Sequence, residues 1–122
     1  MYRVKKRDGE LVDFNIGKIS DAIKKAFEAT GTEYNESVID FLALKTTADF
    51  QSKIENEAIS VEDIQDSVEA VLSRGGYEHV AKAYILYRRQ REKLRNMKNT
   101  YLDYKNVVDS YLDASDWRVK EN

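Results

Sequence analysis

The sequence VKKRDGELVDFNIGKI, residues 4–19, contains the strongest structural signal of the chain. Asp8 and Gly9 separate two extended segments, and Asp-Gly favours a hairpin because glycine accepts the positive φ of a tight turn. A three-residue loop with Gly9 as a bulge would pair Lys6 with Glu10. That register places four apolar side chains on one face of the hairpin, those of Tyr2, Val4, Val12 and Phe14. A two-residue loop would mix apolar and charged residues on both faces, so we predict the bulged register.

A helix is predicted to follow the hairpin directly. Asn15 is a good N-cap, and apolar residues recur behind it at helical spacing, namely Ile16, Ile19, Ile23, Ala26 and Phe27. Gly31 fits the position just past the end of this helix. Lys18 falls in the first turn, where a cation opposes the helix macrodipole, but with Lys6 and Arg7 it would suit a phosphate bound at the helix start. A solvated basic edge accounts for the same residues without a ligand, so physics alone leaves both interpretations open.

The remainder of the chain is predicted to be mainly helical. Asn35 can cap a second helix whose apolar face extends to Ile54. Thr46 and Thr47 are middling helix formers, so a kink or break near them is an open alternative to a continuous helix. Ser60 opens a third helix with a capping-box pattern, and Gly75 closes it. A fourth helix is predicted over residues 77–97, and a short further helix after it. The expected fold class is α+β: a small N-terminal β-hairpin, which a third short strand can join, packed on a bundle of about four helices.

Composition limits the classes of function. The 122 residues, 42% of them hydrophobic, are enough for one domain with a real core and an appendage. The net charge of −2 shows no overall basicity, so we expect no nucleic-acid partner. The chain has no cysteine, which excludes disulfides and thiolate sites, and His79 cannot build a metal site alone. The N-terminus alternates in charge and lacks an apolar segment, so we expect no signal peptide, no membrane partner and a cytoplasmic protein.

No arrangement of residues in the sequence indicates catalysis. A Ser/His/Asp triad has no supporting pattern beyond a single histidine, and phosphoryl transfer usually shows a glycine-rich loop followed by Lys-Ser or Lys-Thr, which is absent. The acidic pair Glu62 and Asp63 fits helix capping better than general acid or base roles. We therefore expect a protein that binds a ligand without converting it.

The chain resembles the ATP-cone, the regulatory nucleotide-binding domain of ribonucleotide reductases. The resemblance rests on VKKRDG at residues 4–9, on Phe14, on Lys18 with Ile19, and on YILYR at residues 84–88. These lie in the family's order and spacing over about residues 2–95. The resemblance implies an allosteric sensor that binds ATP or dATP, with Mg²⁺ an open question. It also implies that ATP favours activity and dATP inhibits it, through a nucleotide-dependent homo-oligomer.

The resemblance implies which residues bind the nucleotide. The positions that match are Val4, Lys6, Arg7, Asn15, Lys18, Ile19, Val61, Ile64, Gln65, Arg88 and Arg91. The three from the third helix match positions that line the base pocket, and Gln65 offers the donor and the acceptor that an adenine edge requires. Ile64 lies on the apolar stripe of its helix, so core packing competes with ligand contact as its role. Arg88 and Arg91 match positions near the phosphates, although a solvated basic helix end explains them as well.

The end of the chain, residues 112–122, resembles the entry into the catalytic domain of anaerobic ribonucleoside-triphosphate reductases. On this basis we expect residues 1–97 to form the ATP-cone. Residues 98–122 would form a linker helix and the start of a catalytic domain, the partner in the same polypeptide. Trp117 would then be exposed in a flexible tail, unless it folds back onto the helices.

Two other hypotheses stay open at this point. Nucleotide-responsive transcriptional repressors also contain an ATP-cone, but they place a cysteine-rich zinc ribbon before it, and the absence of cysteine argues against this class. A nucleotide-independent helical interaction module would make the basic residues a feature of the surface only.

Overall fold

The computed structural model describes residues 2–115, and it describes side chains for residues 2–100. The elements are β1 (Arg3–Lys5), β2 (Leu11–Asp13), α1 (Ile16–Ala29), α2 (Glu36–Asp49), a 3₁₀ turn (Gln51–Lys53), β3 (Ala58–Ser60), α3 (Val61–Arg74) and α4 (Glu78–Ser115). The three short strands and the helices confirm the predicted α+β fold class. The third strand joins the hairpin, as the prediction allowed. The chain divides into a compact unit that ends at Tyr87 and a second unit that begins at Arg88.

The hairpin has the predicted bulged register. Val4 pairs with Val12 in the antiparallel ladder of β1 and β2, and the N–H of Lys6 donates to the carbonyl of Glu10 at 2.8 Å. Gly9 has a φ of +91°, the left-handed conformation that glycine adopts most readily. Because the side chains alternate along each strand, Val4 is buried while the charged residues of the other face are exposed.

The third strand decides what lies beside the hairpin. It pairs with β1 in parallel, with Val4 opposite Ile59 and Lys5 opposite Ser60, so the strand order is β2-β1-β3. Ser60 is also the N-cap of α3, and its hydroxyl accepts a hydrogen bond from the N–H of Asp63 at 3.0 Å. No residue separates the strand from the helix. The loop that leaves the end of β1 therefore lies next to the first turn of α3.

The predicted caps of the first two helices are confirmed. The side chain of Asn15 accepts from the N–H of Gly17 at 2.8 Å, and that of Asn35 accepts from the N–H of Val38 at 2.9 Å. Gly31 follows the last residues of α1 with a φ of +66°. These caps could be predicted from the sequence because each depends only on residues within three positions of the capping residue.

The prediction for the end of the second helix was wrong. The helix runs without interruption through Thr46 and Thr47 and ends at Asp49, so Ile54 lies outside it. The hydroxyl of Thr46 is buried but donates to the carbonyl of Leu42 at 2.8 Å, which satisfies it within the helix. Ile54 still packs against the core, from the segment after the 3₁₀ turn, which is why its spacing resembled a helical position.

Aromatic contacts join the sheet to the helices. Phe50, at the end of α2, is fully buried, and its ring lies 5.8 Å from the ring of Tyr2 and 5.7 Å from that of Phe14, measured between centroids. The rest of the core comes mostly from the inner faces of α1, α2 and α3, with Ile23, Phe27, Ile39 and Leu72 fully buried.

The last helix is longer than predicted. It continues past Met97 to Ser115, and the separate short helix expected after residue 98 is its second half. No glycine or proline occurs between residues 77 and 122, so nothing in the sequence ends the helix where we placed its end. The domain boundary at residue 97 stays a prediction, and Trp117 lies outside the described residues. Within residues 2–115, no helix combines the length and the apolar character needed to cross a membrane.

Candidate functional site

The hairpin loop contacts the start of α3 through Arg7. Its Nη2 donates a hydrogen bond to Oε1 of Gln65 at 3.1 Å, and its Nη1 forms an ion pair with Oε2 of Glu62. Arg7 and Gln65 are 58 positions apart in the sequence, and both belong to the predicted ligand-binding set. The parallel pairing of β1 with β3 brings them together, since it places the loop at the N-terminus of α3.

Each of the two cationic side chains of the hairpin loop, Lys6 and Arg7, forms an ion pair with a carboxylate. Nζ of Lys6 lies 3.5 Å from Oε1 of Glu10, and Arg7 is paired with Glu62. About a third to three fifths of each of these side chains is accessible to solvent, and ion pairs at such positions contribute only about 0–1 kcal/mol to stability. A ligand with more negative charge can therefore replace either carboxylate at little cost. A nucleotide phosphate has this property, and arginine binds phosphate with two parallel N–H groups.

The start of α1 contains two more of the predicted ligand-binding residues, Asn15 and Lys18. Asn15 uses its side chain to cap the helix, Lys18 is exposed, and the first turn contains no acidic residue. This end of α1 combines the positive end of the helix dipole with a lysine, which is favourable for an anion and unfavourable for the helix alone. The convergence of Lys18 with Lys6 and Arg7 on one ligand stays a prediction.

The apolar members of the predicted set belong to the core or to its edge. Val4 and Ile19 are buried, and Val61 and Ile64 are half-buried and pack against the core. The position of Ile64 fits its place on the apolar stripe of α3. Contact of Val61 and Ile64 with a nucleotide base stays a prediction.

The two remaining arginines lie on α4. Arg88 is half-buried and Arg91 is exposed, and their spacing of three residues places both on one face of the helix. They belong to the second compact unit, which begins at Arg88. Their role as phosphate ligands stays a prediction.

Sequence reasoning missed Glu62 as part of the site. Its position in the first turn of α3 explained it as a capping residue that complements the helix dipole. The sequence offered one signal, an acidic residue three positions before Gln65 on the same helix face, but its contact with Arg7 depends on the pairing of β1 with β3. This contact could not be read from local spacing.

A separate cavity of about 450 Å³ lies between α2 and the end of α3. Phe41, Lys45 and Tyr77 are among its lining residues, and none of the predicted ligand-binding residues lines it. Among the described residues, no three or more His, Cys, Asp or Glu side chains are grouped so that they could hold a metal ion.

Comparisons with known proteins agree with the resemblance. A family model described as "ATP cone domain" matches residues 2–93. "Ribonucleoside-diphosphate reductase subunit alpha" of Chlamydia pneumoniae is 44% identical over 101 residues, which cover 77% of this chain and 10% of that protein. "Vitamin B12-dependent ribonucleoside-diphosphate reductase" of Mycobacterium tuberculosis is 38% identical over 96 residues, covering 79% of this chain and 13% of that protein.

An anaerobic enzyme shows the same match at lower identity. "Anaerobic ribonucleoside-triphosphate reductase" of Salmonella typhimurium is 34% identical over 92 residues, covering 73% of this chain and 12% of that protein. This chain therefore spans about a tenth of the length of the curated relatives that it matches. Reductases of three kinds contain the region, and the anaerobic one is the least identical of these three.

Proposed function

The chain belongs to the ATP-cone family, and we propose that it is an allosteric regulatory domain of a ribonucleotide reductase that binds ATP or dATP at the hairpin loop and the first turn of α3. The observation that supports this most directly is the contact between Arg7 and Gln65. It joins a guanidinium suited to a phosphate to an amide suited to an adenine edge.

The charge of the ligand explains why the site needs several cations. A triphosphate carries close to four negative charges, more than one lysine or arginine can neutralise. Lys6 and Arg7 would bind it from the loop, Lys18 from the start of α1, and Arg88 and Arg91 would supplement them. The carboxylates that now face Lys6 and Arg7 would be replaced by phosphate oxygens.

The regulatory output is proposed to be a change in assembly. ATP would favour the active state of the parent enzyme and dATP the inhibited one, through a nucleotide-dependent homo-oligomer. A ligand shifts such an equilibrium only if it binds the two states with different affinity. The two nucleotides differ by one 2′-hydroxyl, so small rearrangements around the ribose must separate them. The domain itself would bind the nucleotide without turnover, and the catalytic domain of the same polypeptide would respond.

The parent enzyme is proposed to be an anaerobic reductase. The support for this is the resemblance of residues 112–122 to the entry of the anaerobic catalytic domain. The match to the Salmonella typhimurium enzyme agrees with it. The identities to the chlamydial and B12-dependent enzymes are higher. They support a ribonucleotide reductase as the parent enzyme, but they do not support the anaerobic class in particular.

Calorimetric titration with ATP, dATP and GTP, with and without Mg²⁺, tests the binding site. We expect saturable, adenine-selective binding, and weaker ATP binding by about tenfold or more in Lys6→Ala, Arg7→Ala and Lys18→Ala, because each loses a hydrogen bond between charged groups. Lys5→Ala is the matched control: Lys5 lies on the other face of β1, so its loss should matter less. Wild-type affinity in all three variants would refute the site, and a larger effect of Lys5→Ala than of Lys6→Ala would place the ligand on the other face.

Light scattering on the same mixtures tests the regulatory output. A rise in molecular mass with dATP but not with ATP would show that this chain alone undergoes the switch. A folded sample that binds no nucleotide would instead favour an interaction module that works without nucleotide.

A further inference from the structure

We propose that Glu62 is a specificity-determining residue of this site, because its carboxylate holds the guanidinium of Arg7 that a nucleotide phosphate would take. The inference rests on the proposed function. It adds a residue outside the predicted ligand-binding set, and it assigns to that residue the role of a competitor of the ligand.

The geometry makes Arg7 the shared partner of two residues on α3. Glu62 and Gln65 are three positions apart, hence on one face of the helix, and Arg7 reaches both with different nitrogens of one guanidinium. Arginine presents its N–H groups in a rigid planar fork, so a phosphate bound by the same nitrogens must displace at least one of these acceptors. The side chain of Arg7 is 32% exposed and that of Glu62 is 46% exposed, so a ligand can reach the pair from solvent.

The displacement selects ligands by charge. Glu62 offers one negative charge, whereas a terminal phosphate carries about 1.5–2 near neutral pH. A nucleotide phosphate therefore gains more from Arg7 than the carboxylate does, while a weakly charged ligand gains nothing by the exchange. By holding Arg7, Glu62 lowers the affinity of all nucleotides and discriminates most strongly against weakly charged ligands.

The same displacement affects recognition of the base. Gln65 now accepts a hydrogen bond from Arg7 through its side-chain oxygen. When Arg7 turns to a phosphate, that oxygen becomes available to the exocyclic amino group of adenine, and the amide N–H₂ to a ring nitrogen. Guanine presents an oxygen at the position of that amino group. Binding of the phosphates would thus expose the group that selects adenine.

Titration of Glu62→Gln with ATP, with and without Mg²⁺, tests the proposal. Because glutamine keeps the shape but removes the charge, we expect the affinity for ATP to rise about two- to fivefold, the range set by the strength of an exposed ion pair. Asp40→Asn is the matched control, since it removes one exposed carboxylate from α2. It should leave the affinity within the error of the measurement. In an Arg7→Ala background, Glu62→Gln should have a much smaller effect.

Three results would overturn the proposal. Unchanged or lower affinity in Glu62→Gln would remove the competition, and a loss seen only with Mg²⁺ would assign Glu62 to the metal in the complex. An equal rise in the Arg7→Ala background would mean general repulsion and not displacement from Arg7. Binding of ATP by the wild-type chain separates these results from failure of the proposed function. If no folded variant binds any adenine nucleotide, both proposals fail together.

Discussion

At the scale of single residues, Asp49 shows how one carboxylate connects α2 to α3. Hydrogen bonds from the hydroxyl of Ser67 and from Arg74 hold the pKa of Asp49 below its ordinary value of 3.8. Ser67 is fully buried, and Nζ of Lys53 donates to its hydroxyl at 3.3 Å. The buried hydroxyl therefore has partners on both sides, as a buried polar group requires.

Asp49→Asn should make stability less dependent on pH. Because the pKa of Asp49 is lower in the folded than in the unfolded state, the ionised carboxylate stabilises the fold above the unfolded pKa, and this contribution disappears as the pH falls through the folded pKa. We expect the variant to lose about 1 kcal/mol of unfolding free energy at pH 7 and less than this at pH 2. Urea unfolding at the two pH values measures the difference. Asp40→Asn is the control, and a deficit of the same size at both pH values would contradict the role of ionisation.

At the scale of elements, the direct junction of β3 and α3 positions the candidate site. Ser60 ends the strand, pairs with Lys5 of β1 and caps the helix. The two residues that contact Arg7 follow within the first two turns of this helix. An extra residue at the junction would rotate the start of α3 by about 100°, and the contact of Arg7 with Glu62 and Gln65 would be lost.

Ser60→Ala should therefore weaken the fold through the loss of the cap. We expect a decrease of about 1 kcal/mol in the free energy of unfolding, because the N–H of Asp63 loses its acceptor, whereas Ser60→Asp should retain most of the stability. Chemical denaturation of both variants measures this. Ser52→Ala, an exposed serine of the 3₁₀ turn, should change the stability by less than about 0.5 kcal/mol. Equal losses in Ser52→Ala and Ser60→Ala would exclude the cap as the cause.

At the scale of the whole molecule, the first compact unit depends on a core that joins three short strands to the helices. The strands are three residues long, too short to be stable alone, so the sheet needs the aromatic contacts that Phe50 makes with Tyr2 and Phe14. The second unit begins at Arg88, inside the continuous helix α4.

Phe50→Ala should destabilise the first unit strongly. Removal of a fully buried phenylalanine costs about 3–5 kcal/mol, a large part of the 5–15 kcal/mol that is typical of a domain. Phe41→Ala is the control from α2, the helix that Phe50 directly follows, since its side chain is 60% exposed and its loss should cost about 0.5 kcal/mol or less. Urea unfolding compares the two, and a similar cost for both variants would contradict the role of Phe50 in joining sheet and helices.

Local signals predicted most of the secondary structure. Asp8 with Gly9, the caps Asn15, Asn35 and Ser60, and the hairpin register were all confirmed, because each depends on residues a few positions apart. The errors concerned where helices end. The threonines of α2 bond to their own helix instead of ending it. The second half of α4 contains no residue that stops a helix, so the periodic segments that we separated form one element.

For the candidate site, too, the residue types could be predicted from the sequence but the contacts between them could not. Its residue types followed from the sequence and from the family resemblance, because a basic Lys-Arg-Asp-Gly loop and a glutamine in the first turns of a capped helix are local features. The contact of Arg7 with Glu62 and Gln65 was decided only by the tertiary structure. It exists because β3 pairs with β1 in parallel and continues directly into α3. That pairing joins backbone groups more than fifty residues apart in the sequence, so no local pattern can specify it.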